Sequence, residues 1–192
     1  ILENVQGLTT LNNGECLKYI IKQLTGIRNT HNKHQAYTIH HQVLNTRDHG
    51  IPHNRPRWYC VGIRKDCQRA GPPGQRFQFP SPIPCPPIDE ILDDFGEKPD
   101  GISYKRLSPT AQKNVTNARA RIIKRGHNPD TSSYVVDCDA SQARSREICN
   151  YTPCITRSRH KGHWLTKYNR RMTLTEIFRL QGMDQHKIKQ VV

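Results

Sequence analysis

The sequence predicts an α/β core followed by a small, irregular, basic α+β lobe. Three observations carry this. A strand–helix–strand–loop–strand order opens the chain, as in one part of an α/β sheet. A proline-rich stretch over residues 70–87 then interrupts regular structure. Beyond it the charge turns positive: Pro99 to Arg171 holds 15 Lys/Arg against 5 Asp/Glu.

Each element has a local reason. Ile1 to Val5 reads as the end of a buried strand. Asn12 to Gly26 reads as a helix, because Cys16, Leu17, Ile20, Ile21 and Leu24 share one face and Gly26 suits the C′ position. Ala36 to Leu44 alternates through Tyr37, Ile39 and Val43 and predicts a strand. Asn45 to Pro56 is a turn-rich loop, and Arg57 to Ile63 a second, mostly apolar strand; the two strands can form a hairpin. Ile88 to Phe95 predicts a short helix with an acidic face. Ser108-Pro109 supplies an N-cap and an N1 proline for a helix running to Gly126. Tyr134-Val135-Val136 and Cys154-Ile155-Thr156 predict short strands. Thr173-Leu174-Thr175-Glu176 spells a capping box, opening a helix expected to end at Gly182.

The 192 residues suffice for one core plus an appended lobe. Hydrophobic residues make up only 34%, so the core must be concentrated in a few segments. The formal charge of +14 favours a polyanionic partner over a merely solvated basic surface, since clustered cations release counterions from phosphates. Seven cysteines in no paired spacing fit a reducing, intracellular setting. No run of about 18 apolar residues is present, so no membrane helix is expected.

Three segments together resemble the cytosine-5 DNA methyltransferase family. Leu2-Glu3-Asn4-Val5 is similar to its Glu-Asn-Val motif. Asp48-His49-Gly50-Ile51-Pro52-His53-Asn54-Arg55-Pro56-Arg57, with Tyr59 and Val61-Gly62 after it, is similar to its Gln-x-Arg-x-Arg segment and the following strand, with His53 where the family usually has Gln. Arg171 to Glu176, then Arg179-Leu180-Gln181-Gly182, is similar to its late helix. Pro153-Cys154-Ile155-Thr156-Arg157-Ser158-Arg159 resembles the strand that closes the recognition region. Their order across nearly the whole chain carries the match.

The resemblance implies a fold and a chemistry. The fold is the C-terminal half of a Rossmann-like, S-adenosylmethionine-dependent methyltransferase sheet within residues 1–98. A target-recognition region follows within 99–170, and a return helix within 171–192. The family adds a Cys thiolate to cytosine C6, which turns C5 into an enamine carbon able to take the methyl group of S-adenosylmethionine. A carboxylic acid at N3 and a cation at O2 absorb the charge that grows on the ring. The resemblance assigns Glu3 to the first role, which requires a buried carboxyl that holds its proton. Asn4 would arrange the nucleophile loop, Arg57 would reach O2 and Arg55 would brace the site. Residues two apart on a strand share a side, so both arginines can face one pocket. The partner implied is double-stranded DNA, with the base flipped out for reaction. Thr156, Arg157, Arg159 and His53 are the implied DNA contacts.

Taken alone, Glu3 is an ordinary salt-bridge partner at a strand end, and the arginines an ordinary solvated pair. Two other functions stay open beside the enzyme: a non-catalytic DNA-binding paralogue and a tRNA cytosine-5 methyltransferase. The chain begins inside an apolar run without Met and is expected to continue upstream. The Gly-rich cofactor loop and Pro-Cys-Gln nucleophile would lie there, and a last cofactor motif beyond Val192, so no cofactor-binding residue is assigned and the chain alone is expected to be inactive. Cys85 and Cys154 each follow a proline but sit in the wrong segments to be the nucleophile. Cys149, Cys154, His160 and His163 fit no standard zinc spacing, so no metal is expected.

Overall fold

A computed structural model describes residues 1–67, 77–93 and 104–183. The chain divides into two units: one drawn from Ile1–Asn45 and Pro56–Pro82, the other from Thr46–Arg55 and the chain from Ile83 onward.

The first unit is built on a three-stranded sheet of β1 (Leu2–Val5), β2 (Tyr37–Asn45) and β3 (Pro56–Arg64), in the order β1-β3-β2. β3 runs antiparallel to both neighbours, so β1 and β2 are parallel to each other. Parallel strands need a crossover, which contains α1 (Glu15–Gly26). The five apolar residues of the expected helix face are half-buried while Glu15, Lys18, Tyr19, Lys22 and Gln23 are exposed, as the 3.6-residue period requires. Two details differ from expectation. The helix begins at Glu15 because Asn12 and Asn13 take left-handed φ values of 53° and 54°. Gly26 is the last helical residue, and Ile27 leaves in extended conformation, so no left-handed C′ glycine is used. In β3 Trp58 and Cys60 point inward, each 2% exposed, with the flanking residues more open.

The second unit has a four-stranded antiparallel sheet, in the order β5-β4-β6-β7. Its strands are β4 (Tyr134–Val136), β5 (Glu147–Cys149), β6 (Trp164–Leu165) and β7 (Arg170–Arg171). Side chains alternate across a strand, and this sheet uses both faces. Val136 and Trp164 pack with Leu107, Ala111, Val115 and Ala118, the last three on the buried stripe of α2 (Pro109–Lys124). Val135 and Leu165 point the other way, into a cluster of Ile88, Ile155, Met172, Ile177 and Leu180. Each large side chain so buried contributes about 1.5–3 kcal/mol.

The helix signals are realised as chemistry. Ser108 Oγ accepts from the Ala111 amide, with Pro109 in the first helical turn. Past α2, Gly126 takes φ +81°, and the bonds Gly126 N–H to Ile123 O and His127 N–H to Ile122 O close a Schellman motif. α3 (Leu174–Arg179) carries the full capping box of Thr173 and Glu176. It ends in the same way: Gly182 has φ +71°, Gly182 N–H donates to Arg179 O and Met183 N–H to Phe178 O.

Two expected elements do not form. Ile88–Glu90 is a single 3-10 turn rather than a helix to Phe95, and Phe95 lies outside the described residues. Cys154-Ile155-Thr156 is not a strand. Pro153 has no N–H to offer a neighbour, and the Ile155 N–H is taken by the His53 ring instead of a strand carbonyl.

Candidate functional site

In the first unit, the β1–β3 register sets Val5 opposite Arg57 and Glu3 opposite Tyr59. Glu3 and Arg57 are therefore diagonal neighbours on one face of the sheet. Their side chains meet: Arg57 Nε lies 3.0 Å from Glu3 Oε1, and Arg57 Nη1 also donates to the Pro56 carbonyl at 2.8 Å. Only 14% of the arginine side chain is exposed, against 46% of the glutamate. The described residues thus do not supply the burial expected around Glu3, because β1 is an edge strand exposed along its length. Asn4 points to the opposite face, and its Oδ1 accepts from the Val5 amide at 2.8 Å. Arg55 precedes β3, is half-buried and belongs with the second unit.

In the second unit, the loop Thr46–Arg55 is bound by reciprocal backbone bonds. Asn54 N–H donates to Thr152 O and Thr152 N–H to Pro52 O, both at 2.8 Å. His53 sits at the centre with no exposed surface. Its Nδ1 is 3.0 Å from the Leu180 carbonyl, and its Nε2 is 3.1 Å from the Ile155 amide nitrogen. The residue expected at DNA is thus a buried ring engaged on both nitrogens by backbone.

Immediately after Ile155 the chain turns outward. Thr156 and Arg157 are exposed, and Thr156, Arg157, Ser158 and His160 line a shallow open depression. Thr156 Oγ1 and Ser158 Oγ are 3.0 Å apart. Arg159 lies lower: its Nε donates to Asp137 Oδ1 at 2.5 Å and its Nη1 to Ser158 Oγ at 3.0 Å. Of the two arginines in this turn, Arg157 offers its charge to solvent while Arg159 is already matched by a carboxylate. Such a patch of hydroxyls and guanidinium groups suits phosphate oxygens.

The family model for C-5 cytosine-specific DNA methylase matches residues 1–189. The chain belongs to this family. Relatives include the type II methyltransferase M.HaeII of Haemophilus aegyptius, 39% identical over 56% of this chain and 31% of its own length. M.FnuDI of Fusobacterium nucleatum is 30% identical over 70% of the chain and 33% of its own length. M.HgiCII of Herpetosiphon aurantiacus is 28% identical over 78% and 34%. This family member thus spans about a third of the length of those relatives. Its mixed helix and sheet are consistent with an α/β methyltransferase.

Several polar contacts in the second unit join partners that no sequence pattern pairs. Asp137 neutralises Arg159 from a distant segment. Asp139 grips Arg171 with two bonds of 2.8 and 2.7 Å, and although burial works against ionisation, the Arg171 guanidinium holds its carboxyl below the usual range. Buried Asn114 on α2 donates to the Cys138 and Ala140 carbonyls, which fixes the turn after β4. Arg170 and Glu176 form an ion pair that is 2% and 0% exposed. Among the described residues no three His, Cys, Asp or Glu side chains gather into a metal site, and no helix is long and apolar enough to cross a membrane.

Proposed function

We propose that this chain is the part of a DNA cytosine-5 methyltransferase that activates a flipped cytosine and grips the DNA around it. The observation that carries the reading is the 3.0 Å pairing of Glu3 with Arg57, which joins two distant motif segments on one sheet face. A carboxyl and a guanidinium side by side can meet N3 and O2 of one pyrimidine ring together. Glu3 would hold a proton at N3 once a bound base covers it, and Arg57 would donate to O2 as negative charge accumulates there. Asn4 would order the chain that carries the nucleophile, and Arg55 would brace the site. Thr156, Arg157 and Arg159 would hold phosphates near the flipped nucleotide, with His53 contributing from beneath.

The fold proposed is the C-terminal half of a Rossmann-like sheet within residues 1–98. The recognition region falls within 99–170, and the return helix within 171–192. The order β1-β3-β2, with β3 antiparallel to both neighbours, supports the first part. S-adenosylmethionine would supply the methyl group. The described residues suit the cytosine side of the reaction, and no cofactor contact is assigned to them. A protein acting on DNA in this way works inside the cell.

The test is methyl transfer from labelled S-adenosylmethionine by the full-length protein that contains this chain, offered duplex DNA and tRNA in parallel. DNA should be labelled and tRNA should not. Glu3→Gln should lower transfer about 100- to 10,000-fold, the range for loss of a positioned acid. Turnover unchanged by Glu3→Gln would remove Glu3 from the chemistry.

A further inference from the structure

The His53 ring is fully buried, and both of its nitrogens face backbone groups that leave no choice of role. The Leu180 carbonyl can only accept, so Nδ1 carries the proton and donates to it at 3.0 Å. The Ile155 amide can only donate, so Nε2 is bare and accepts from it at 3.1 Å. The neutral tautomer with its proton on Nδ1 is therefore fixed by two fully committed partners. Those partners lie in separate segments. Ile155 immediately precedes Thr156 and the Arg157–Arg159 turn, and Leu180 caps α3. His53 itself lies two residues before Arg55, whose amide donates to the His53 carbonyl at 2.9 Å. The same carbonyl also receives the Thr46 hydroxyl.

We infer that His53 is a positioning residue: its neutral imidazole sets the register of the Thr156–Arg159 turn against the Arg55 loop and the end of α3, so that DNA is held without the ring touching it. This rests on the function proposed above. Packing alone does not account for the arrangement, because a buried apolar residue would leave one amide and one carbonyl without partners. Here the ring supplies one donor and one acceptor across the gap. A glutamine amide carries the same donor and acceptor at similar separation, whereas phenylalanine fills the space with neither.

The experiment compares His53→Gln and His53→Phe in the full-length protein, at a temperature where melting curves show both folded. Amide hydrogen exchange reads the bracket directly. Ile155 protection should fall at least about tenfold in His53→Phe and stay near wild type in His53→Gln. DNA binding reads its consequence. Dissociation constants for duplex DNA should rise about tenfold in His53→Phe and stay within about threefold in His53→Gln. The effect should also be non-additive with Thr156→Ala, because His53 acts through that turn. Unchanged Ile155 exchange in His53→Phe, or additive losses with Thr156→Ala, would overturn the inference while leaving the methyltransferase reading intact. A wild-type protein that binds no DNA would overturn both.

Discussion

His163 shows how one side chain links burial to pH. It is 1% exposed and lies on β6's approach, with Nδ1 3.8 Å from Asp137 Oδ1. Burial lowers its pKa from 6.5 to about 4, more than the Asp137 charge raises it, and Arg159 pushes the same way as burial. The unfolded chain therefore binds a proton that the folded chain refuses between about pH 6.5 and 4. Stability is complete above the upper limit and falls as pH drops through this window, by roughly 1–3 kcal/mol. Below it the paired carboxylates Asp89 and Asp139 take over the loss, since both are held below their ordinary range by cationic partners despite burial. Denaturant unfolding at pH 7.5, 5.5 and 4.5 should show the first loss, and His163→Phe should flatten it. A wild type equally stable at pH 7.5 and 4.5 would refute the assignment. Glu3 stands in the opposite situation: its side chain is 46% exposed beside a mostly buried Arg57, and a pair open to solvent on the carboxylate side contributes only about 0.2–1 kcal/mol to folding. In the proposed reaction its value lies in what the pair can meet, not in holding β1 down.

At the scale of elements, α3 is too short to be stable by itself and is held through its first turn. Glu176 is at once the N3 residue of the capping box and the counter-ion of buried Arg170. One oxygen accepts from the Thr173 amide at 2.7 Å and from Arg170 Nη1 at 2.9 Å; the other accepts from the Asp93 amide at 2.8 Å and from Arg170 Nη2 at 2.6 Å. Removing the carboxylate strands a guanidinium without its counter-charge. Glu176→Ala should therefore cost about 3–5 kcal/mol in urea unfolding, whereas replacing both partners by Leu and Met should cost far less. Equal losses in the single and double variants would show that packing, not the stranded charge, sets the cost. Other elements were legible because their determinants are local. The Ser108 cap, the Thr173–Glu176 box and the glycines at 126 and 182 each act within about one helical turn. The expected strand at Cys154–Thr156 failed partly through Pro153, a local cause, and partly through one that no local pattern contains: the Ile155 amide is claimed by a histidine far back in the chain.

For the molecule as a whole, charge is the dominant property. A net +14 should make the proposed DNA binding strongly dependent on ionic strength, since each phosphate neutralised releases bound counterions. Many basic groups are already committed within the fold: Arg121 and Arg125 share Glu147, and Arg159, Arg170, Arg171 and Arg179 have carboxylate partners. Arg157, exposed at the open depression, should matter more. Arg157→Ala should reduce the slope of log affinity against log salt by about 1, and should weaken binding similarly across DNA sequences. A slope unchanged by Arg157→Ala would take Arg157 off the phosphates. One loop that interrupts the first unit along the chain belongs to the second. The chain leaves the first after Asn45, gives Thr46–Arg55 to the second, and returns to the first at Pro56, so Arg55 and Arg57 fall in different units although two residues apart.

The sequence by itself determined the helix caps, the apolar stripes, the β2 and β3 strands and the order of motifs that marks the family. Each of these depends on residues close together along the chain or on their order within it. Only the tertiary structure decided which polar groups are buried and with whom. It put Glu3 against Arg57, gave Arg170 to Glu176 and Arg159 to Asp137, and buried the His53 ring between the Leu180 carbonyl and the Ile155 amide. A buried polar atom must find a partner wherever the chain returns to it, and that return is set by packing rather than by neighbours in sequence.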